Sequence, residues 1–573
     1  MIILEKLKKI INIASKKEKA DLVLKNGNII NVFTNEIIIA DIAISDSKIA
    51  GIGDYSGKKE IDCSNKYISP SFIDSHVHIE SSMVSPKEFA KAVLKRGTTC
   101  VIADPHEIAN VCGLDGIKYI LDSLKNSSFD IYMMLPSCVP ATNFENSGAH
   151  LDATELEKLI NHENVLGLGE VMDYMAVINK ENHIIDKLNL FKDKIIDGHG
   201  PISDLNHLNA YIATGIKTDH ECSKIEELIN RVRLGMYVQI REGSAAKDLK
   251  NLIKAVNKNN LSRILFCTDD RHPNDIINEG HIDNNIKMAI KEGIDPIDAI
   301  KMASINICNC YNIKNKGAIA PSYNANLLII DNLSDFNIEK VIKDGKLIVD
   351  NINNIYNFDF YDIDDKKVRN KINIDNLNLN DLNLKTKNNT ITGIEVTPNS
   401  ILTKKVDVNI ETKDGIYLKS KDEDVLKIAV IERHSDKKNI GISLVKGFGL
   451  KNGAIASTIA HDSHNLIVIG DNDKDMLNCI NHIKKIGGGI CISSNNEIKK
   501  SLTLDIAGLV SSKSLEEVDY ILEDMLNFAY SLGVYKDIEP FMTLGFLALP
   551  VIPEIRITDI GTFDVLNYKF INQ

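Results

Sequence analysis

The sequence predicts an α/β chain: a (β/α)8 TIM-like barrel, a small β-sandwich domain formed from segments on both sides of it, and an additional C-terminal α/β or α+β domain. Three observations carry this expectation. Eight short apolar runs alternate with helical patterns between residues 71 and 315, the strand count of a (β/α)8 barrel. Two near-copies, VLKNGNII at Val23–Ile30 and VIKDGKLI at Val341–Ile348, bracket that region, as they would if one β-domain were built from both ends of an inserted barrel. Beyond an Asn-rich stretch, residues 393–573 remain, enough for one further domain.

Residues 1–70 open with MIILEKLKKIINIASKKEKA. Charges run through its apolar stretch and no small-residue cleavage site follows, so it reads as an amphipathic helix and not as a signal peptide. The β-branched runs DLVLKNGNIINV, EIIIADIAI, KIAGIG and KYISP come next. Asn26-Gly27 predicts a type I′ hairpin, because that turn needs positive φ at both central positions. The barrel strands over 71–315 are expected at SFIDSH, TTCVIAD, DIYMMLP, NVLGLGE, KIIDGH, GIKTDH, MYVQIRE and RILFCTD. Helices are expected over Lys87–Lys95 with Gly97 as its stop, over Lys224–Leu234 with Gly235, and over Ala245–Val256. Residues 316–350 return to the small β-domain. Residues 351–392, rich in Asn, Asp and Lys, form a connector with weak extended structure. The last region holds DVLKIAVIERH, AIASTIAHDSHNLIVIG and the helical SLEEVDYILEDMLNFAYSLG.

Composition excludes several classes. Lys and Arg number 67 against 79 Asp and Glu, a net charge of −12, which argues against a binder that draws its affinity from nucleic-acid phosphates. No apolar run approaches the length of a membrane-spanning helix. The ten cysteines are scattered and form no C-x-x-C; they indicate a reduced, cytoplasmic protein. Cys308 and Cys310, the one C-x-C pair, read as small buried hydrophobes. There is no Walker loop and no G-x-G-x-x-G after a strand. The paired H-x-E and P-C-x-x-C motifs of small zinc deaminases are not matched either.

The informative residues stand at the ends of the expected strands: His76 and His78, then Asp104, His106 and Glu107, then Glu170, His199, His220, Arg241 with Glu242, and Asp269. Barrel enzymes place their active sites at the carboxyl ends of these strands. Two positions apart on an extended segment, His76 and His78 point to one side. With Glu170, His199, His220 and Asp269 they give four imidazoles and two carboxylates, enough for two metal ions sharing one bridge.

The motifs PSFIDSHVHIESSM, IADPHEIANVCG, GLGEVMD, DGHGP, TDHE, REGSA and CTDDRHPND, with HDSHNLIVIG, GGGI and PEIRITDIG in the last region, resemble the bacterial adenine deaminase family of the amidohydrolase superfamily. The resemblance covers nearly the whole chain from Asp21. It implies hydrolysis of adenine to hypoxanthine and ammonia in purine salvage. It also implies two divalent metal ions, Mn or Fe(II) foremost and Zn as an alternative, held by His76, His78, His199, His220 and Asp269 and bridged by Glu170. Many members of the superfamily bridge their metals with a carbamylated Lys; Glu170 stands in that place. The ions would generate the attacking hydroxide, and Asp269 would also carry its proton to the leaving amine. His106, Glu107 and Glu242 are the candidates for protonating or anchoring the ring. His461 and His464 either cap the pocket or form a polar turn ahead of LIVIG. His272 and His281 read as structural, and Asp270 as facing away from Asp269. The implied partners are adenine and water, with no nucleic acid and no membrane, in a cytoplasmic homo-oligomer, a dimer or larger. The nearest alternative is a Glu-bridged amidohydrolase acting on an amide, such as an N-acetyl sugar phosphate deacetylase. That enzyme would need a phosphate-binding Arg/Lys set and no C-terminal addition of this length. A catalytically inert barrel would have lost metal ligands, and all six are present.

Overall fold

The computed structural model describes residues 2–435 and 437–572. The barrel strands are Phe72–His78, Thr98–Ala103, Asp130–Pro136, Val165–Val171, Ile195–Gly198, Thr218–Asp219, Tyr237–Arg241 and an eighth in two pieces, Ile264–Cys267 and Asp269–Asp270. All neighbouring pairs are parallel, and the second piece of the eighth strand pairs with the first strand, which closes the ring. The break falls at Thr268. Its N–H and hydroxyl both go to the buried carboxylate of Asp74, at 3.2 and 2.5 Å, and Asp269 beside it takes a left-handed φ of 59°. That conformation is uncommon outside glycine but open to Asp.

Strands from both ends of the barrel insertion join in one nine-stranded sheet, with Tyr67–Pro70 antiparallel to Leu327–Ile330. They share a core in which Leu24, Ile29, Ile42 and Ile68 meet Leu327, Ile329 and Ile342. The two near-copies behave differently. Asp344-Gly345 turns between Ile338–Lys343 and Lys346–Asp350, with φ of 47° and 76°. Asn26-Gly27, expected to turn as well, instead sits inside the long strand Ala20–Asn31 as a bulge, with the register shifting between Leu24 and Gly27. Packing decides this. The Asn26 N–H is taken by the Asp41 carboxylate at 2.9 Å, and a Cβ on Gly27 would lie 2.3 Å from Ile68 Cδ1. Here glycine serves close approach in a bulge.

Helices Ile2–Ala14, Pro86–Leu94 and Ile225–Arg233 form where the apolar periodicity and caps place them. The expected helix over Ala245–Val256 is reduced to Leu249–Leu252 and a 3-10 turn, Ile253–Ala255. Lys247 is held in a bridge to Glu242, and the Asp248 carboxylate binds Arg241 at 2.9 Å, so this segment packs over the barrel mouth before the helix can start. The last region has its own nine-stranded sheet, between Thr390–Val396 and Glu497–Thr503, with helix Asp473–Ile486 against it and a separate three-stranded sheet ending the chain. Among the described residues, no helix is long and apolar enough to cross a membrane.

Candidate active site

Seven of the strand-end groups converge at the carboxyl end of the barrel. His76 and His78 lie at the end of the first strand with Nε2 atoms 3.2 Å apart. Glu170 Oε1 sits 2.9 Å from His76 Nε2 and 2.8 Å from His78 Nε2, and Asp269 Oδ1 stands 3.6 and 3.2 Å from the same atoms. The other Glu170 oxygen, Oε2, lies 3.0 Å from His199 Nδ1, and His220 Nε2 lies 3.2 Å from that nitrogen. His76 and His220 stack with ring centroids 4.2 Å apart. His106 closes one side, edge-on to His78 at 4.6 Å.

These donors fit divalent cations. Despite its two near nitrogens, Glu170 Oε1 makes no hydrogen bond, and neither does His220 Nδ1. Lone pairs crowded around common points without hydrogen-bond geometry are what metal ligation requires and what a polar core avoids. Two sets follow, His76, His78, Glu170 and Asp269, and Glu170, His199 and His220, with one carboxylate oxygen facing each. His78 Nδ1 lies 3.0 Å from the Asp104 carbonyl oxygen. That contact fixes the ring and leaves Nε2 for the cation.

The electrostatics agree with a site built for positive charge. Burial opposes ionisation of Glu170, yet the His78 and His76 imidazoles hold its carboxyl well below the ordinary carboxylate range. Burial likewise disfavours charge on Asp269, and the adjacent His76 and His78 imidazoles, helped by Arg241, hold it low. Burial and the neighbouring His76 keep His220 well below its usual value, hence a neutral imidazole.

Other expectations are placed differently. Arg241 turns into the cluster, 3.2 Å from Asp269 Oδ2, and forms an ion pair with Glu221. Glu242 turns away, accepting the Leu249 N–H at 3.2 Å, as neighbours on a strand must. Glu221, which follows His220 and lies 3.8 Å from His199 Nδ1, was not anticipated; its only signal is its place in TDHE. His281 is structural, 3.0 Å from Thr98 and 3.3 Å from Asp74. His272, read as structural, instead lines a cavity of about 420 Å3 beside the cluster.

That cavity lies between the barrel mouth and the last region. Glu80, Glu107, Asp270, His461, His464 and Phe546 are among its walls. His461 and His464 are thus more than a polar turn. His461 Nδ1 lies 2.7 Å from Glu107 Oε1, and His464 Nε2 contacts Glu107 Oε2. The Ala460 N–H points at His464 Nδ1 at 3.2 Å, so that nitrogen is the acceptor and Nε2 carries the proton donated to Glu107. Replacing His464 with Ala leaves a buried carboxylate short of one partner, and hydrogen bonds to charged groups are the costly ones to lose. Steady-state assays should then show kcat/KM about 10- to 100-fold lower. Bound metal should be unchanged, and His464→Gln, which still has an N–H to offer, should recover part of the loss. Loss of metal with activity would instead make His464 a ligand.

Comparison with known proteins follows the same division. Residues 67–348 match the amidohydrolase family and residues 400–569 the adenine deaminase C-terminal domain. An adenine deaminase of Clostridium acetobutylicum is 53% identical over 570 residues, 99% of each chain. One of Geobacillus kaustophilus is 45% identical over 562 residues, 97% of each. A second adenine deaminase of Carboxydothermus hydrogenoformans is 44% identical over 565 residues, again 99% of each.

Proposed function

Because the chain belongs to the adenine deaminase family of amidohydrolases, we propose that it hydrolyses adenine to hypoxanthine and ammonia at the histidine–carboxylate cluster. The observation that carries this reading is the division of Glu170, with Oε1 beside His76 and His78 and Oε2 beside His199. On this reading Glu170 would bridge two divalent cations, with His76, His78 and Asp269 holding one and His199 and His220 the other. Mn or Fe(II) suits this mixed imidazole and carboxylate set, and Zn is accepted by the same donors. Bound there, the cations supply the Lewis acidity that brings the pKa of water towards 7.

The other steps fall to side chains. Asp269, ionised and steadied by Arg241 at Oδ2, accepts the proton of the attacking water and returns it to the departing amine. The ring nitrogen beside the attacked carbon gains a proton as aromaticity is lost. Glu107, which lines the cavity, and His106 beside it are the groups for protonating or anchoring the ring; Glu242, turned to Leu249, is withdrawn. The last region completes the pocket through His461 and His464. The family reading supports a cytoplasmic homo-oligomer acting in purine salvage.

The test is ammonia release by chelated protein reloaded with Mn, Fe(II) or Zn. Adenine should be turned over with two metals bound per chain, and adenosine poorly or not at all. Equal catalytic efficiency on adenosine would move the reading to a nucleoside deaminase. Acetate released from N-acetyl sugar phosphates, with no ammonia from adenine, would move it to the deacetylase alternative.

A further inference from the structure

Glu80 stands two residues beyond His78, in the 3-10 turn Ile79–Ser82, and lines the cavity. It is only 5% exposed. Its Oε1 accepts the Ile108 N–H at 3.0 Å, which ties it to the helix His106–Cys112. Its Oε2 is buried and has no hydrogen-bond partner among the described residues. The adjacent hydroxyl is no help, because Ser81 donates to Asp270 Oδ1. Buried polar atoms in native proteins are nearly always satisfied, and the exceptions ask for an explanation. Here the explanation at hand is a donor that arrives with the ligand.

Taking the cavity as the adenine site of the preceding section, we propose that Glu80 Oε2 accepts the N–H of the five-membered ring of the base, and so separates the free base from its nucleoside. Adenine offers two kinds of N–H donor. The exocyclic amine is the leaving group and belongs at the metal cluster. The remaining donor is the single N–H of the imidazole portion. In adenosine that hydrogen is replaced by ribose at N9. In its unprotonated form this free carboxylate oxygen is an acceptor only, so it rewards the N–H form and is left unpaired by the glycosylated one. Sites built on a buried hydrogen bond to a substrate N–H reject analogues that lack it far more strongly than apolar pockets reject extra bulk. Anchoring this end also directs the amine-bearing carbon towards Asp269, with Glu107 on the same wall.

The experiment uses the full-length, metal-loaded enzyme and its Glu80→Gln variant, each assayed on adenine and on 9-methyladenine. Glutamine keeps the shape and an oxygen for the Ile108 N–H, and turns an amide donor towards the ring N–H. For adenine, kcat/KM should fall about 10- to 100-fold, chiefly through KM. For 9-methyladenine, already poor, the same change should stay within about threefold, so that the ratio between the two substrates collapses. Parallel losses on both substrates, or no loss on either, overturn the proposal. So does a collapse of the ratio in Asp270→Asn but not in Glu80→Gln. Should Glu80→Gln lose metal, inhibition of the wild type decides: hypoxanthine must bind about tenfold more tightly than 9-methylhypoxanthine, and equal inhibition constants overturn the proposal. A wild type that releases no ammonia from adenine refutes the reading of the site itself, and the Glu80 assignment falls with it. An active wild type with parallel losses refutes only Glu80.

Discussion

Glu170→Gln is expected to lose both metal and turnover. The amide keeps the volume and packing of the carboxylate, which is fully enclosed between the His76–His78 pair and His199. It removes one negative charge and replaces one of two ligating oxygens with an NH2 group that cannot ligate. Two dications sharing a bridge repel one another, and the bridging anion is what offsets that repulsion. Even changes to groups that only orient a ligand cost about 10- to 100-fold in affinity or activity; a lost bridge should exceed the upper end of that range. Metal analysis of the purified variant should give fewer than two ions per chain, and kcat on adenine should fall accordingly. Excess Mn in the assay should recover little, because the missing element is a ligand and not an occupancy. Near-normal turnover with two metals bound would show that Glu170 is not the bridge.

How much of this was legible in the sequence depended on whether a residue acts within its own strand. His76, His78, Glu170, His199 and His220 each terminate an apolar run, and period-2 alternation carries each into the barrel mouth. The eighth strand was harder. Asp269 and Asp270 are chemically identical neighbours, and the left-handed φ of Asp269 that sends one to the histidines and the other to Ser81 arises from the Thr268–Asp74 contact, made across 194 residues. Arg241 and Glu242 posed the same problem, and the alternation that resolves it favours Arg241. What sequence could not show was contact between regions. Glu107 meets His461 and His464 across more than 350 residues, and no periodicity links two such segments. The Asn26-Gly27 bulge belongs here too: the local signal for a turn was sound, and Ile68 and Asp41 overrode it.

For Asp269→Asn the expectation is a catalytic loss out of proportion to any structural one. Arg241 would lose only one of three acidic partners, since Glu221 and Asp248 still hold it. The backbone bend at this position suits Asn as readily as Asp. The melting temperature should therefore change little. Asparagine can still offer one oxygen to a cation, so metal is retained, though more weakly. What it cannot do is take up a proton at neutral pH, and general acid–base steps typically contribute ~10²–10⁴-fold. Turnover on adenine should drop by at least that order. Asp270→Asn is the comparison, because its carboxylate accepts the Ser81 hydroxyl and lines the cavity instead of facing the histidines. An amide oxygen can still accept that hydroxyl, so two metals should remain and the loss should appear mainly in KM. The measurement is turnover, KM and bound metal for both variants under identical metal loading. If Asp270→Asn were the inactive one while Asp269→Asn turned over normally, the proton-carrying role would belong to Asp270. The arrangement of the eighth strand around Thr268 would then have to differ in the working enzyme.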